Sequence, residues 1–121
     1  MSAVKTHKDL DIWKRGIGFV EQMYRVTTTF PREELYGLTS QIRRSAVSYP
    51  SNIAEGAARS SKKEFIHFLY IALGSLSEVE TQLIIAEKLG YIEKNTLHEE
   101  VEVLRRMTLN FIKYLKSRNS K

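Results

Sequence analysis

The run Gln41-Ile42-Arg43-Arg44-Ser45-Ala46-Val47-Ser48-Tyr49-Pro50-Ser51-Asn52-Ile53-Ala54-Glu55-Gly56-Ala57-Ala58-Arg59 continues through Glu64-Phe65 to Ala72-Leu73-Gly74-Ser75-Leu76-Ser77-Glu78-Val79-Glu80. It reads as two helices meeting in a tight turn near Arg59 and Ser60. The first is rich in small residues: Ser45, Ala46, Ser48, Ser51, Ala54, Gly56, Ala57 and Ala58. Small side chains let a second backbone come close, which places this helix at the centre of the packing. Pro50 lies inside it, removes one backbone donor and crowds the carbonyl of Ala46, so a kink is expected there.

Working outward, Ser61-Lys62-Lys63-Glu64 has the pattern of a capping box opening the next helix. That helix carries Phe65, Leu69, Ala72, Leu76, Val79, Leu83 and Ala86 at unbroken heptad spacing, and Gly90 stands where a left-handed terminating residue belongs. Thr96 to Glu99 offers a second capping box. Leu97, Val101, Leu104, Thr108, Phe111 and Leu115 then stripe a last helix. Upstream, Leu10, Trp13, Ile17, Val20 and Tyr24 form one stripe, and Ile12, Phe19, Met23, Val26 and Phe30 form a second beside it. The double stripe is read as a broad core face, with an oligomer seam as the alternative. Thr27 to Thr29 and Pro31 end that helix, and Glu33 and Glu34 suit the first turn of the next. The helices are expected at 10–29, 33–59, 61–89 and 95–118. Connections of a few residues force neighbours to run antiparallel, which predicts an all-α, up-down-up-down four-helix bundle in one domain spanning 1–121.

With 121 residues the chain can bury a core without staples. It has no cysteine, so disulfides and Cys-ligated zinc are excluded, as suits a reducing cytoplasm. The polar start, Met1 to Leu10, shows no signal peptide. The longest charge-free stretch, Phe65 to Ser77, is too short to span a bilayer, so a cytoplasmic protein without a membrane partner is expected. The net charge of +5, with a pI near 9.5, permits a polyanionic partner.

Folded into the bundle, the charge polarises. One end collects Lys5, Lys8, Lys14, Arg15, Arg59, Lys62, Lys63, Lys113, Lys116, Arg118 and Lys121 against Asp9, Asp11, Glu55 and Glu64. The other end is acidic on balance. A basic end of this kind faces phosphate, the alternative being a solvated lysine surface. In the middle, counting across the turns puts Arg43 level with Glu78, and Arg105 and Arg106 level with Glu80 and Glu78. Glu21 falls level with Arg43 and Arg44. Interhelical or intersubunit ion pairs that fix register are the expected role. Asn52 and Glu55 are polar positions in a small-residue run and are assigned, with Pro50 and Gly56, to structure, the carbonyl of Ala46 being one candidate acceptor.

No catalytic constellation is legible. Glu64-x-x-His67 has the spacing of a di-iron helix, but no second copy exists, so no metal is assigned. The arginine-to-histidine motif of helical ribonucleases of the HEPN type is absent, Glu64 standing five positions after Arg59. A glycine-rich phosphate loop is also missing. Neither an enzyme nor a cofactor is expected.

The blocks Gln41 to Ser48, Ser51 to Gly56 with Arg59, Glu64-Phe65 and Ala72 to Gln82, with Trp13 upstream and Leu89-Gly90-Tyr91-Ile92 downstream, resemble the bacterial four-helix-bundle family encoded in intervening sequences of 23S ribosomal RNA genes. The resemblance implies an antiparallel bundle assembling as a homopentamer around a central channel. It is also similar to the accessory protein of diversity-generating retroelements, a basic pentameric barrel that binds nucleic acid and a reverse transcriptase. The expected function is therefore non-enzymatic binding of structured, rRNA-associated RNA by a homo-oligomer. Arg43, Arg44, Arg59, Lys62, Lys63, Lys113 and Lys116 are the expected RNA contacts, and Pro50, Asn52, Glu55, Gly56, Glu78 and Glu80 the structural and oligomer positions. Phosphate contacts are expected to dominate with little base reading, because the candidate stacking residues Trp13 and Tyr114 both fit core stripes. The competing function is a protein-interaction scaffold or an accessory subunit, for example of a reverse transcriptase.

Overall fold

Four helices account for most of residues 6–118, the part of the chain that a computed structural model describes. They are α1 (Asp11–Thr27), α2 (Leu38–Ala57), α3 (Lys62–Lys88) and α4 (His98–Ser117), and two 3-10 turns cover His7–Asp9 and Arg32–Glu34. No strand occurs among the described residues. The chain is an all-α four-helix bundle in which α2 and α3 form the most extensive pair. Consecutive helices run antiparallel. Gly16 meets Tyr49 and Pro50 while Thr27 meets Arg43; Gly56 meets Phe65 and Phe68 while Ser48 meets Ser75; Phe65 meets Phe111 while Glu80 meets Arg105.

The heptad stripe of α3 is the spine. Leu69, Ala72, Leu76, Val79, Leu83 and Ala86 are all fully buried. Against it stand Ile42, Ala46, Tyr49 and Ile53 of α2, Phe19 and Met23 of α1, and Val101, Leu104 and Ile112 of α4. Each large apolar side chain so removed from water contributes about 1.5–3 kcal/mol before the opposing loss of chain entropy. The stripe of Ile12, Phe19, Met23 and Phe30 on and after α1 is core, and Leu10, Trp13 and Val20 of the other stripe join or flank it. Ile17 and Tyr24 are exposed, however, so the predicted broad core face is only partly filled within the chain.

Small residues serve where helices approach most closely. A Cβ on Gly16 would lie 2.8 Å from the Tyr49 ring, and one on Gly56 would lie 2.8 Å from Phe68 Cβ and 3.2 Å from the Phe65 carbonyl oxygen. Pro50 is buried within α2, facing the first turns of α1. Asn52 donates to the carbonyl and the hydroxyl of Ser48, both at 2.9 Å, rather than to the carbonyl of Ala46. Glu55 is exposed and pairs with Arg59 one turn on, at 2.6 Å.

Helix ends divide into those the pattern predicted and those it did not. Ser61 Oγ accepts from Glu64 N–H at 3.1 Å and caps α3. At the other end Gly90, with φ of +80°, closes a Schellman motif: Tyr91 N–H donates to the Ala86 carbonyl and Gly90 N–H to that of Glu87. By contrast, α2 begins at Leu38 instead of Glu33. Arg32 to Gly37 form tight turns, and Glu34 Oε1 accepts from Leu38 N–H at 3.0 Å, so this acid caps the helix from outside it. That bond, with a second from the Tyr91 hydroxyl, holds the Glu34 carboxyl below its ordinary value. The box predicted at Thr96 does not form either. The chain turns there through left-handed Asn95 and Leu97, Thr96 Oγ1 donates to the Glu93 carbonyl, and α4 starts at His98. Glu87 of α3 supports this turn, accepting from Asn95 N–H at 3.0 Å with His98 Nε2 2.6 Å away.

Candidate nucleic-acid interface

Three of the cations predicted for the basic end line one cleft. Arg59 stands just after α2, Lys62 opens α3, and Arg118 follows α4. The cleft has a volume of about 380 Å³, with Ser60 and Ser61 at its rim and Phe65 and Leu115 as its apolar wall. The antiparallel topology builds it, because the α2–α3 turn and the last turn of α4 fall at the same end. Lys62 Nζ donates to the Arg118 carbonyl, which ties those two segments together. Lys63, Lys113 and Lys116 are exposed on neighbouring turns. Lys5 and Lys121 lie outside the described residues, as does the side chain of Asp9.

The local acids do not cancel this charge. Glu55 pairs with Arg59, but both side chains are well exposed, and such surface pairs are worth less than about 1 kcal/mol. A phosphate with two or three basic neighbours competes easily for the same guanidinium. Arg59 also lies over the Phe68 ring, 4.8 Å from its centroid, which fixes the side chain without neutralising it.

Two expectations for this end are corrected. Arg15 does not join the cluster. Its guanidinium makes two hydrogen bonds, of 2.8 and 3.1 Å, to Glu100 in the first turn of α4, a residue assigned by counting to the acidic end. Level-counting assumes a uniform ladder around the bundle, and α1 does not keep that ladder against α4. The second correction concerns aromatics. Trp13 packs against the core, as predicted, but Tyr114 is 49% exposed. Tyr70 of α3, not singled out in the sequence, is 46% exposed. Each carries a cation of the C-terminal segment on its ring: Arg118 lies 5.5 Å from the Tyr114 centroid and Lys116 Nζ 5.4 Å from that of Tyr70.

The arginines of the middle layer lie elsewhere and serve other contacts. Arg43 is half-buried; it donates to Thr27 Oγ1 at 2.7 Å and to the Tyr24 carbonyl at 3.3 Å, and lies over the Tyr24 ring. It latches α2 to α1 and does not meet Glu78. Arg44 is exposed along a polar groove between α2 and α3 that also holds Glu78 and Gln82. Of the predicted slab, the pair Arg105–Glu80 forms, at 2.8 Å, with Glu102 as a second partner of Arg105. Glu21, Glu78, Arg44 and Arg106 enter no ion pair among the described residues. Glu64 and His67, which have the di-iron spacing, are exposed at the start of α3, and no group of three acids or histidines converges among the described residues.

Comparison with known proteins gives a family match. A family model described as "23S rRNA-intervening sequence protein" aligns with residues 8–110, which include all of α1, α2 and α3 and most of α4. No curated protein matches the sequence.

Proposed function

The chain belongs to the 23S rRNA-intervening sequence protein family, and we propose that it is a non-enzymatic, RNA-binding homo-oligomer of the cytoplasm. The observation that carries this reading is the cleft of Arg59, Lys62 and Arg118, with Lys63, Lys113 and Lys116 around it. Six cations gathered by three helix ends neutralise phosphates and release counterions, and that release supplies most of the affinity for a nucleic-acid backbone. Assembly multiplies the effect, since a ring of copies presents the same basic end several times. The structured RNA of the ribosomal locus is the proposed partner class.

A triple variant tests the reading. Arg59→Ala, Lys62→Ala and Lys63→Ala together are expected to weaken binding to rRNA stem-loops and to flatten the salt dependence by about two to three phosphate contacts. All three side chains lie at the surface or its edge, so the helical circular-dichroism signal is expected to stay unchanged. Unchanged RNA affinity across the salt series would reduce the basic end to a solvated surface.

One observation favours the scaffold reading as a second choice. The outer face of α3 exposes Ile71 and Ile85, an apolar surface that one protomer leaves uncovered. The same surface suits self-association, and we assign it to a second copy of this chain, the resemblance pointing to a pentamer. By length and composition α3 would also qualify to cross a membrane. Glu78 lies on the same face, one heptad from both Ile71 and Ile85, and a carboxylate at mid-bilayer costs about 2.5 kcal/mol or more. A protein partner is the better cover.

A further inference from the structure

We propose that the basic end is built for the unpaired segments of that structured RNA rather than its duplex, with Tyr114 beside the Arg59–Lys62–Arg118 cleft and Tyr70 beside Lys116 as stacking platforms. This deepens the function proposed above and rests on it.

The first ground is the placement of the two rings. The inward positions of α4 are taken by Val101, Leu104, Thr108 and Ile112, and Tyr114 stands off that stripe with about half its surface in water. It is nevertheless fixed. The ring stacks on Phe111 at 6.1 Å with an 18° tilt, and Phe111 meets Phe65 edge-on at 5.6 Å. Tyr114 is thus the exposed end of an aromatic row rooted in the cleft wall. Tyr70 likewise lies off the heptad stripe of α3.

The second ground is the pairing of each ring with a cation. Arg118 Nη1 donates to the Tyr114 hydroxyl at 2.5 Å, and Lys116 Nζ to the Tyr70 hydroxyl at 3.1 Å. These pairs are exposed, so each holds a charge in place at small cost. A base settling on the ring replaces the cation–π contact with stacking and frees the cation for the phosphate of the same nucleotide. Every base has a π-face, so the exchange tolerates any sequence, and single-strand binders combine a basic track with aromatic platforms in this way.

The third ground is shape. The cleft is a concavity of about 380 Å³ with an apolar wall and basic lips, which suits one splayed nucleotide. A duplex keeps its bases stacked inside and offers a surface only its phosphates and groove edges, leaving both tyrosines idle.

Fluorescence anisotropy with a labelled unstructured oligouridylate and an RNA duplex of the same length tests the proposal. The parent is expected to prefer the single strand. Tyr70→Ala with Tyr114→Ala is expected to lose about 10- to 100-fold in affinity for the single strand while duplex affinity stays unchanged. Tyr70→Phe with Tyr114→Phe is expected to retain the parent's preference. Both residues are half-exposed, and circular dichroism checks that the variants keep the bundle. Equal losses on strand and duplex, or no loss on either, would overturn the stacking role while leaving the phosphate-binding function standing. A parent that binds neither RNA would overturn both.

Discussion

Tyr49→Ala is expected to destabilise the bundle by about 3–5 kcal/mol, read as a lower urea midpoint. Tyr49 is fully buried, and its ring lies where α1 comes closest to α2, against Gly16. Its hydroxyl sits 2.7 Å from Thr108 Oγ1. Thr108 donates its own proton to the Leu104 carbonyl, so Tyr49 is the donor and the contact crosses the core from α2 to α4. Removing the ring opens a cavity and leaves that threonine oxygen without a donor. Gly16→Ala is expected to destabilise alone, because its Cβ would meet the ring at 2.8 Å. In the Tyr49→Ala background it is expected to stabilise, filling part of the cavity and adding helix propensity of about 1 kcal/mol. Additive behaviour of the two substitutions would show that the ring does not fill the α1–α2 contact. The same burial pushes the Tyr49 hydroxyl up to about 12, from 10.0. A proton held more tightly in the folded state stabilises below the unfolded value and is lost above the folded one. Stability is therefore expected to fall between pH 10 and pH 12, and Tyr49→Phe is expected to lessen that fall.

Ile71→Glu with Ile85→Glu is expected to convert the protein from an oligomer to a 14.0 kDa monomer at micromolar concentration, as read by sedimentation. The two isoleucines are exposed two heptads apart on α3, with Glu78 between them. Gly74 on the same helix has open space in front of it, so another backbone can approach. Ile17 and Tyr24 on α1 are likewise uncovered. Carboxylates at both positions would set like charges at the seam and require their burial, which costs far more than the apolar contact returns. The fold itself is expected to persist, because neither side chain belongs to the core. A parent that sediments as a monomer would remove the reason for the exposed stripe. A variant that stays assembled would place the interface on another face.

Much of the architecture was legible because it rests on short-range rules. The α3 stripe from Leu69 to Ala86, the Ser61 cap and the Gly90 termination each depend on residues within one or two turns. What failed depended on partners distant in sequence. Glu34 reads as a first-turn acid, yet its bonds to Leu38 and Tyr91 place it outside α2; Gly37, three residues on, was the available signal. Glu87 supports the start of α4 from α3, and no local pattern announces that contact. Counting levels from the turns treats helix axes as parallel rods, which is why Arg105 met Glu80 as expected while Arg15 met Glu100 against expectation. Of the candidate site, Arg59, Lys62 and Arg118 converge because turn and terminus share an end, which follows from topology alone. Tyr70 could have been found, since it lies off the heptad stripe of its own helix. Tyr114 could not be told from Phe111 and Leu115 beside it without the packing.

The most direct measurement is titration of an rRNA stem-loop with the full chain across a salt series. Log affinity is expected to fall linearly with log salt, with a slope equivalent to at least about three neutralised phosphates. The slope is expected to shrink when Arg59, Lys62 and Lys63 are replaced by alanine. Salt-independent binding, or a slope that the triple variant leaves unchanged, would contradict the assignment of the basic end as the RNA-binding surface.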